Sequence, residues 1–172
     1  FINQKYLQIE QDQLRKKFSG TENFFEKKYS EAELSDSFKM VNKDGQIANL
    51  FTQITYANNT LADLATFSND SDGIQFNLDI TPQEKYISSI KLRGVRKNKG
   101  QVIEIRTEEV PTEKTIISKL HSLKSFAIDP TSITFTNGTV NSTAVGTELW
   151  KCKDWNFSTQ TCLGTWNKIM DL

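Results

Sequence analysis

Cys152 and Cys162 are the only thiols of this 172-residue chain, and all three of its tryptophans, Trp150, Trp155 and Trp166, share their stretch, ELWKCKDWNFSTQTCLGTWNKI. Such a pair can bind metal, cycle between redox states or close a disulfide. Metal or redox work calls for CxxC spacing or a neighbouring His, and this stretch has neither. A structural disulfide between Cys152 and Cys162 is the expected state, and it belongs to an oxidising compartment. Five N-x-S/T sequons stand at Asn58, Asn69, Asn137, Asn141 and Asn156. The chain's asparagines and its Ser/Thr share would give roughly two or three by chance. The excess agrees with export and with glycosylation at these five positions.

The remaining reactive residues do not converge. His121 is the sole histidine, so a metal site with several His ligands is excluded. No GxSxG supports a serine triad, and with both thiols paired no cysteine remains to replace the serine. The basic run RGVRKNKGQ lacks the order of a phosphate loop and a following helix, and reads as a solvated hairpin turn. In SNDSDG, Asp70, Asp72 and Gly73 follow the order of a Ca²⁺ loop, but Ser68 stands where Asp is needed and no Glu occupies the twelfth position. An Asx turn is expected there. Glu108 and Glu109 read as a solvated strand end, and adjacent strand residues point to opposite faces, which spoils them as a catalytic pair. The expectation is a protein without enzymatic activity, metal or cofactor.

Charge and hydropathy narrow the partners. Lys plus Arg and Asp plus Glu both total 21, so there is no net field to gather nucleic acid or anionic lipid. No apolar run approaches the roughly 20 residues of a membrane span. The opening FINQKYLQIE lacks a signal-peptide pattern and begins at Phe, as expected of a processed or excised piece.

The elements that must position these residues fall into two parts. Residues 1–72 are mostly helix-compatible: QKYLQIEQDQLRKKF carries an irregular apolar stripe, and SEAELSDSFKM opens on a capping box of Ser30 and Glu33. ANLFTQITYANNTLADLATF is either a helix with β-branched interruptions or two short strands. From residue 73 the period changes to two. GIQFNLDI turns Ile74, Phe76, Leu78 and Ile80 inward and Gln75, Asn77 and Asp79 outward. Further strands are expected at YISSIKLRGV, GQVIEIRTEEV, TIISKL, LKSFAI, SITFT and TVNSTAVG, separated by turn residues. The predicted fold is mainly β: an antiparallel β-sandwich over 73–172 with an N-terminal α-helical segment. TELWKC and TCLGTWNKI are expected to pair as a hairpin, with the disulfide closing KDWNFSTQT across two facing positions.

The run from Phe126 to Leu172 also resembles a module of large secreted and surface proteins of archaea, particularly small-genome lineages. The likeness rests on the IDPT turn, the strand FTNGTVNSTAVGTEL and the spaced Trp, Cys, Asp and Trp of WKCKDWNFSTQTCLGTW. It covers about a quarter of the chain, with weaker likeness in the strands before it. No settled biochemical role comes with the resemblance. It implies a cell-surface setting, and similar proteins continue into a further strand.

Together these readings lead to an extracellular structural or adhesive module. Its partners would be other copies of itself or neighbouring domains of a longer surface protein. It would assemble by strand addition into a filament or surface layer, unless N-terminal helices cover the open edge. The indoles around the bridge read as a satellite core. The alternative is a carbohydrate-binding module in which Trp150, Trp155 and Trp166 form a stacking platform for glycans.

Overall fold

The computed structural model describes residues 27–69, 74–83, 87–115 and 122–172. The helix expected over QKYLQIEQDQLRKKF, the strand expected over residues 116–120, the acidic part of SNDSDG and His121 lie outside them.

In chain order the elements are β1 (Tyr29–Ser30), α1 (Glu31–Leu34), β2 (Phe38–Val41), β3 (Leu50–Tyr56), α2 (Leu64–Asn69), β4 (Phe76–Pro82), β5 (Ile87–Val95) and β6 (Ile103–Val110). A 3₁₀ turn at Thr112–Lys114 follows, then β7 (Ser125–Asp129), β8 (Asn137–Ser142), β9 (Glu148–Cys152), β10 (Trp155–Asn156), β11 (Thr161–Cys162) and β12 (Trp166–Asp171). The fold is mainly β. A five-stranded antiparallel sheet runs in the order β1-β3-β4-β5-β8, and a three-stranded sheet in the order β2-β6-β7. Phe38 and Met40 of β2 and Ile103 and Ile105 of β6 share one buried cluster with Ile54, Leu78, Ile80, Ile90 and Leu92 of the larger sheet. That shared cluster is the filling of a sandwich.

Period-two patterning explains most of the larger sheet. Phe76, Leu78 and Ile80 are fully buried and Asp79 is half-buried, as alternation requires. Asn77, expected outward, is buried, because its amide donates to the Tyr56 carbonyl at 3.1 Å and accepts from the Gly94 N–H at 3.2 Å. Gly94 sits at φ +64, and a Cβ there would lie 2.3 Å from the Thr136 hydroxyl. Only glycine permits this backbone and this close approach.

Helix is scarcer in the described part of 1–72 than the sequence pattern suggests. The capping box is real: the Glu33 carboxylate accepts from both the Ser30 N–H and its hydroxyl at 2.8 Å, which holds its pKa below the ordinary value. Yet α1 lasts one turn. Phe38 and Met40 then go to the core with period two, as strand β2. In ANLFTQITYANNTLADLATF the strand and helix readings each hold for one half. The β-branched half is β3. The LATFSN half is α2, capped by Asp63, whose carboxylate takes the Thr66 N–H at 2.7 Å and the Thr66 hydroxyl at 2.9 Å.

Two features of the sheets depart from a simple antiparallel meander. The change of period near residue 72 does not divide the core, since β3 and β4 pair along their whole length from Leu50↔Pro82 to Tyr56↔Phe76. And β2 pairs with β6 in parallel, Phe38 opposite Ile103 and Val41 opposite Arg106. SITFT forms no strand; Thr134 makes an isolated bridge with Arg96 just beyond β5, and the Thr136 N–H donates to the Arg93 carbonyl of β5 at 2.8 Å.

Candidate functional site

The C-terminal segment builds two small ladders. β9 pairs with β12, placing Cys152 opposite Trp166, and β10 pairs with β11, placing Trp155 opposite Cys162. The Cys152–Cys162 disulfide, with Cα atoms 6.1 Å apart, therefore ties one ladder to the other. The expected hairpin exists, but the cysteines do not face each other within it. Each faces a tryptophan instead. The clustering follows from that register: Trp155 and Trp166 meet edge to face, with ring centroids 6.3 Å apart and planes at 66°.

Each of two indole N–H groups has a carboxylate partner. Trp150 donates to Glu148 at 2.9 Å, and Trp155 donates to Oε1 of Glu108 at 3.0 Å. The second bond crosses from the hairpin to the outer face of the three-stranded sheet. All three tryptophans are half-buried. The pair Trp155 and Trp166 is thus a packed corner rather than a flat stacking face.

Beside this corner lies a cleft of about 300 Å3, lined by Lys43, Arg106, Glu108, Phe157, Ser158 and Gln160. Arg106 and Glu108 come from alternate positions of β6, on the face opposite the buried Ile105 and Thr107. Phe157, Ser158 and Gln160 come from the loop closed by the disulfide. Gln160 holds φ +53, a left-handed conformation that favours glycine and is uncommon for a residue with a side chain. Glu108 is 5% exposed, and its Oε2 is buried with no hydrogen-bond partner. Lys43 and Arg106 form no ion pair among the described residues. The acidic pair Glu108 and Glu109 splits to opposite sides of its strand as expected, but Glu108 is enclosed rather than solvated. Arg106 and Glu108 two apart on a strand were the available signal. Nothing local announced that Trp155, 47 residues away, would cover them.

A larger groove of about 500 Å3 lies between β8, the segment before β7 and the β9–β12 ladder, with Leu123, Val140, Val145, Leu149 and Leu172 on its walls. Among the described residues β8 pairs only with β5, and all six of its residues are exposed. Its Asn137 and Asn141 lie opposite Arg93 and Ser89, on the sheet's outer face. Asn141 donates to the Ser89 hydroxyl at 2.8 Å. Asn58 and Asn156 sit in Asx turns, accepting from the N–H of Thr60 at 3.0 Å and of Ser158 at 2.9 Å. Asn69 ends α2. The five sequons thus fall in four places, with Asn137 and Asn141 sharing β8.

The basic turn differs from its sequence reading in one residue. Gly100 at φ +72 and the Gln101 to Asn98 backbone bond form the turn, but Lys97 is buried. Its ammonium donates to the Ser68 carbonyl at 3.0 Å and lies 5.4 Å from the Phe67 ring centroid, and desolvation lowers its pKa. Ser68 in turn shares a 2.5 Å hydroxyl contact with Ser37.

Among the described residues, no three His, Cys, Asp or Glu side chains converge as metal ligands, and no helix is long and apolar enough to cross a membrane. Comparisons of the chain with protein families, with characterised proteins and with solved structures returned no match.

Proposed function

We propose that the protein is an extracellular structural or adhesive module of a cell surface, and that it assembles by adding a strand to β8. The observation that carries this reading is the open edge itself. Among the described residues β8 bonds to β5 on one side only, every one of its residues is exposed, and the apolar groove with Leu123, Val140 and Leu149 runs beside it. A free edge offers backbone N–H and C=O groups in register, and a flanking groove supplies side-chain pockets; together these are the requirements of strand addition. The disulfide supports an oxidising setting. The resemblance of the segment from Phe126 to Leu172 to archaeal surface modules supports the same placement, and export would make the exposed sequons glycan acceptors.

The test is association state. Sedimentation across a wide concentration range, with electron microscopy of the concentrated protein, is expected to show growth into oligomers or filaments. Val140→Lys places a charge on the edge and is expected to hold the chain monomeric. A wild-type protein that stays monomeric at all concentrations would sink strand addition.

A further inference from the structure

We propose that β8 pairs antiparallel with β8 of a second copy of this chain, about a two-fold axis through Thr139. The inference rests on the reading that β8 takes an added strand, and it names that strand. Charge singles out this edge. Among the described residues, every other free edge longer than two residues carries charge: β2 has Lys39, β7 has Asp129, β9 has Glu148 and Lys151, and β12 has Lys168 and Asp171. β1, β10 and β11 have two residues each. β8 has no charge at all, and none stands in the sequence between Asp129 and Glu148. Edge charges keep copies apart, and a strand that meets its own copy must also avoid setting like charges side by side.

Side-chain directions make β8 complementary to itself. Val140 lies opposite the buried Ile90 and Gly138 opposite the buried Leu92, so both face the core side of the sheet, while Asn137, Thr139 and Asn141 lie opposite Arg93, Lys91 and Ser89 and face outward. Yet Val140 is 42% exposed, because no strand follows β8 among the described residues to close the core there. Two identical antiparallel strands are related by an axis normal to the sheet, which keeps both core faces on one side; paired residues share a face, so the axis passes through a residue. With Thr139 on the axis, Asn137 meets Asn141 of the second copy, and Gly138 meets Val140 of the second copy. Gly138 has no side chain to crowd it. The two five-stranded sheets become one, and the apolar grooves beside them come together on its core side. Glycans on Asn137 and Asn141 would collide at this seam, so the pairing belongs to the chain with both acceptors bare.

The test uses the oxidised full chain made without N-glycans. Thr139→Cys is expected to form a disulfide between copies, because a residue on the axis meets itself with Cα atoms about 4.5–5.5 Å apart. Asn137→Cys is expected to stay uncrosslinked, roughly 14 Å along the strand from its own counterpart. Both positions are exposed, so the fold should tolerate either change. Thr139→Lys faces its own copy beside the exposed Lys91 and is expected to weaken association by about tenfold; Thr139→Glu, eased by Lys91, by about threefold. Mixed, the Thr139→Lys and Thr139→Glu chains are expected to associate more tightly than either alone, a rescue that only self-pairing allows. A wild-type chain that is monomeric at all concentrations would overturn both this pairing and strand addition. Association that persists while Thr139→Cys gives no covalent dimer, or while the mixture is no tighter than its components, would overturn the pairing alone and assign the added strand to another segment.

Discussion

Trp155 and Glu108 are joined across the molecule: the indole N–H of the disulfide hairpin donates to a carboxylate enclosed on the outer face of the three-stranded sheet, at 3.0 Å. The other carboxylate oxygen has no partner, so this single bond carries much of Glu108's compensation for burial. Trp155→Phe keeps an aromatic ring against Trp166 but removes the donor. It is expected to destabilise the fold by about 1–3 kcal/mol in denaturant titrations. Trp150→Phe, whose donor serves the more exposed Glu148, is expected to cost well under that. Equal losses would mean the hairpin is not anchored through Glu108.

Reduction isolates the contribution of the bridge. Cys152 and Cys162 are 10 residues apart, and closing a loop of that size removes about 3 kcal/mol of unfolded-chain entropy in the simple polymer picture. The Cys152→Ser, Cys162→Ser double variant is expected to melt earlier by that amount and to lose its cleft-side hydrogen-exchange protection first. Intact-mass measurement of unreduced protein, after alkylation, is expected to show no free thiol. Two alkylated cysteines in native material would contradict the bridge.

Gly94→Ala tests the bulged end of β5. The substitution meets a φ of +64 and the Thr136 hydroxyl at once. Each problem alone costs on the order of 1 kcal/mol or more, so a loss of about 2–4 kcal/mol is expected by thermal or chemical unfolding. Gly100→Ala is the control: it shares a positive φ but has open space around its Cβ, and its cost is expected to stay near 1 kcal/mol.

The β9–β12 ladder should respond to pH at both extremes. Hydrogen bonds from Lys168 and then Trp150 hold the Glu148 pKa below its ordinary value, and hydrogen bonds to Asp171 and then Glu148 hold that of Lys168 above its own. For Glu148 the stabilisation is complete above its unfolded-state pKa and is lost as pH falls through the lower, folded value. For Lys168 it is complete below the unfolded-state pKa and is lost as pH rises through the higher, folded one. Tryptophan fluorescence is expected to stay flat between these limits and to change beyond each, and Lys168→Met is expected to remove the alkaline transition.

Legibility followed sequence distance. GIQFNLDI, YISSIKLRGV and GQVIEIRTEEV became β4, β5 and β6 because alternating burial needs only neighbouring residues to be read. The disulfide was equally local. FKM of β2 was absorbed into an expected helix because a four-residue strand following a sound capping box carries little pattern of its own, and its partner β6 lies far along the chain. The same limit hid the cleft. Lys97 and Glu108 look like surface charges until Phe67, Ser68 and Trp155, each distant in sequence, close over them. Orientation of the indoles was beyond sequence too, since it depends on which residue each cysteine faces across its ladder.

The parallel pairing of β2 with β6 has a bearing on the order of folding. Phe38 and Ile103 are 65 positions apart, and β3, β4 and β5 lie between them. A chain emerging from its N-terminus can assemble most of the larger sheet from successive hairpins while β2 still has no strand to join. Phe38 and Met40 must wait, apolar and uncovered on one side, until residues 103–106 arrive. Long-range closure of this kind slows folding and lengthens the exposure of sticky intermediates. Vulnerability to aggregation should therefore be concentrated in the interval before β6 is available, and a chain cut short of Ile103 should be far less soluble than one cut just beyond Asp129.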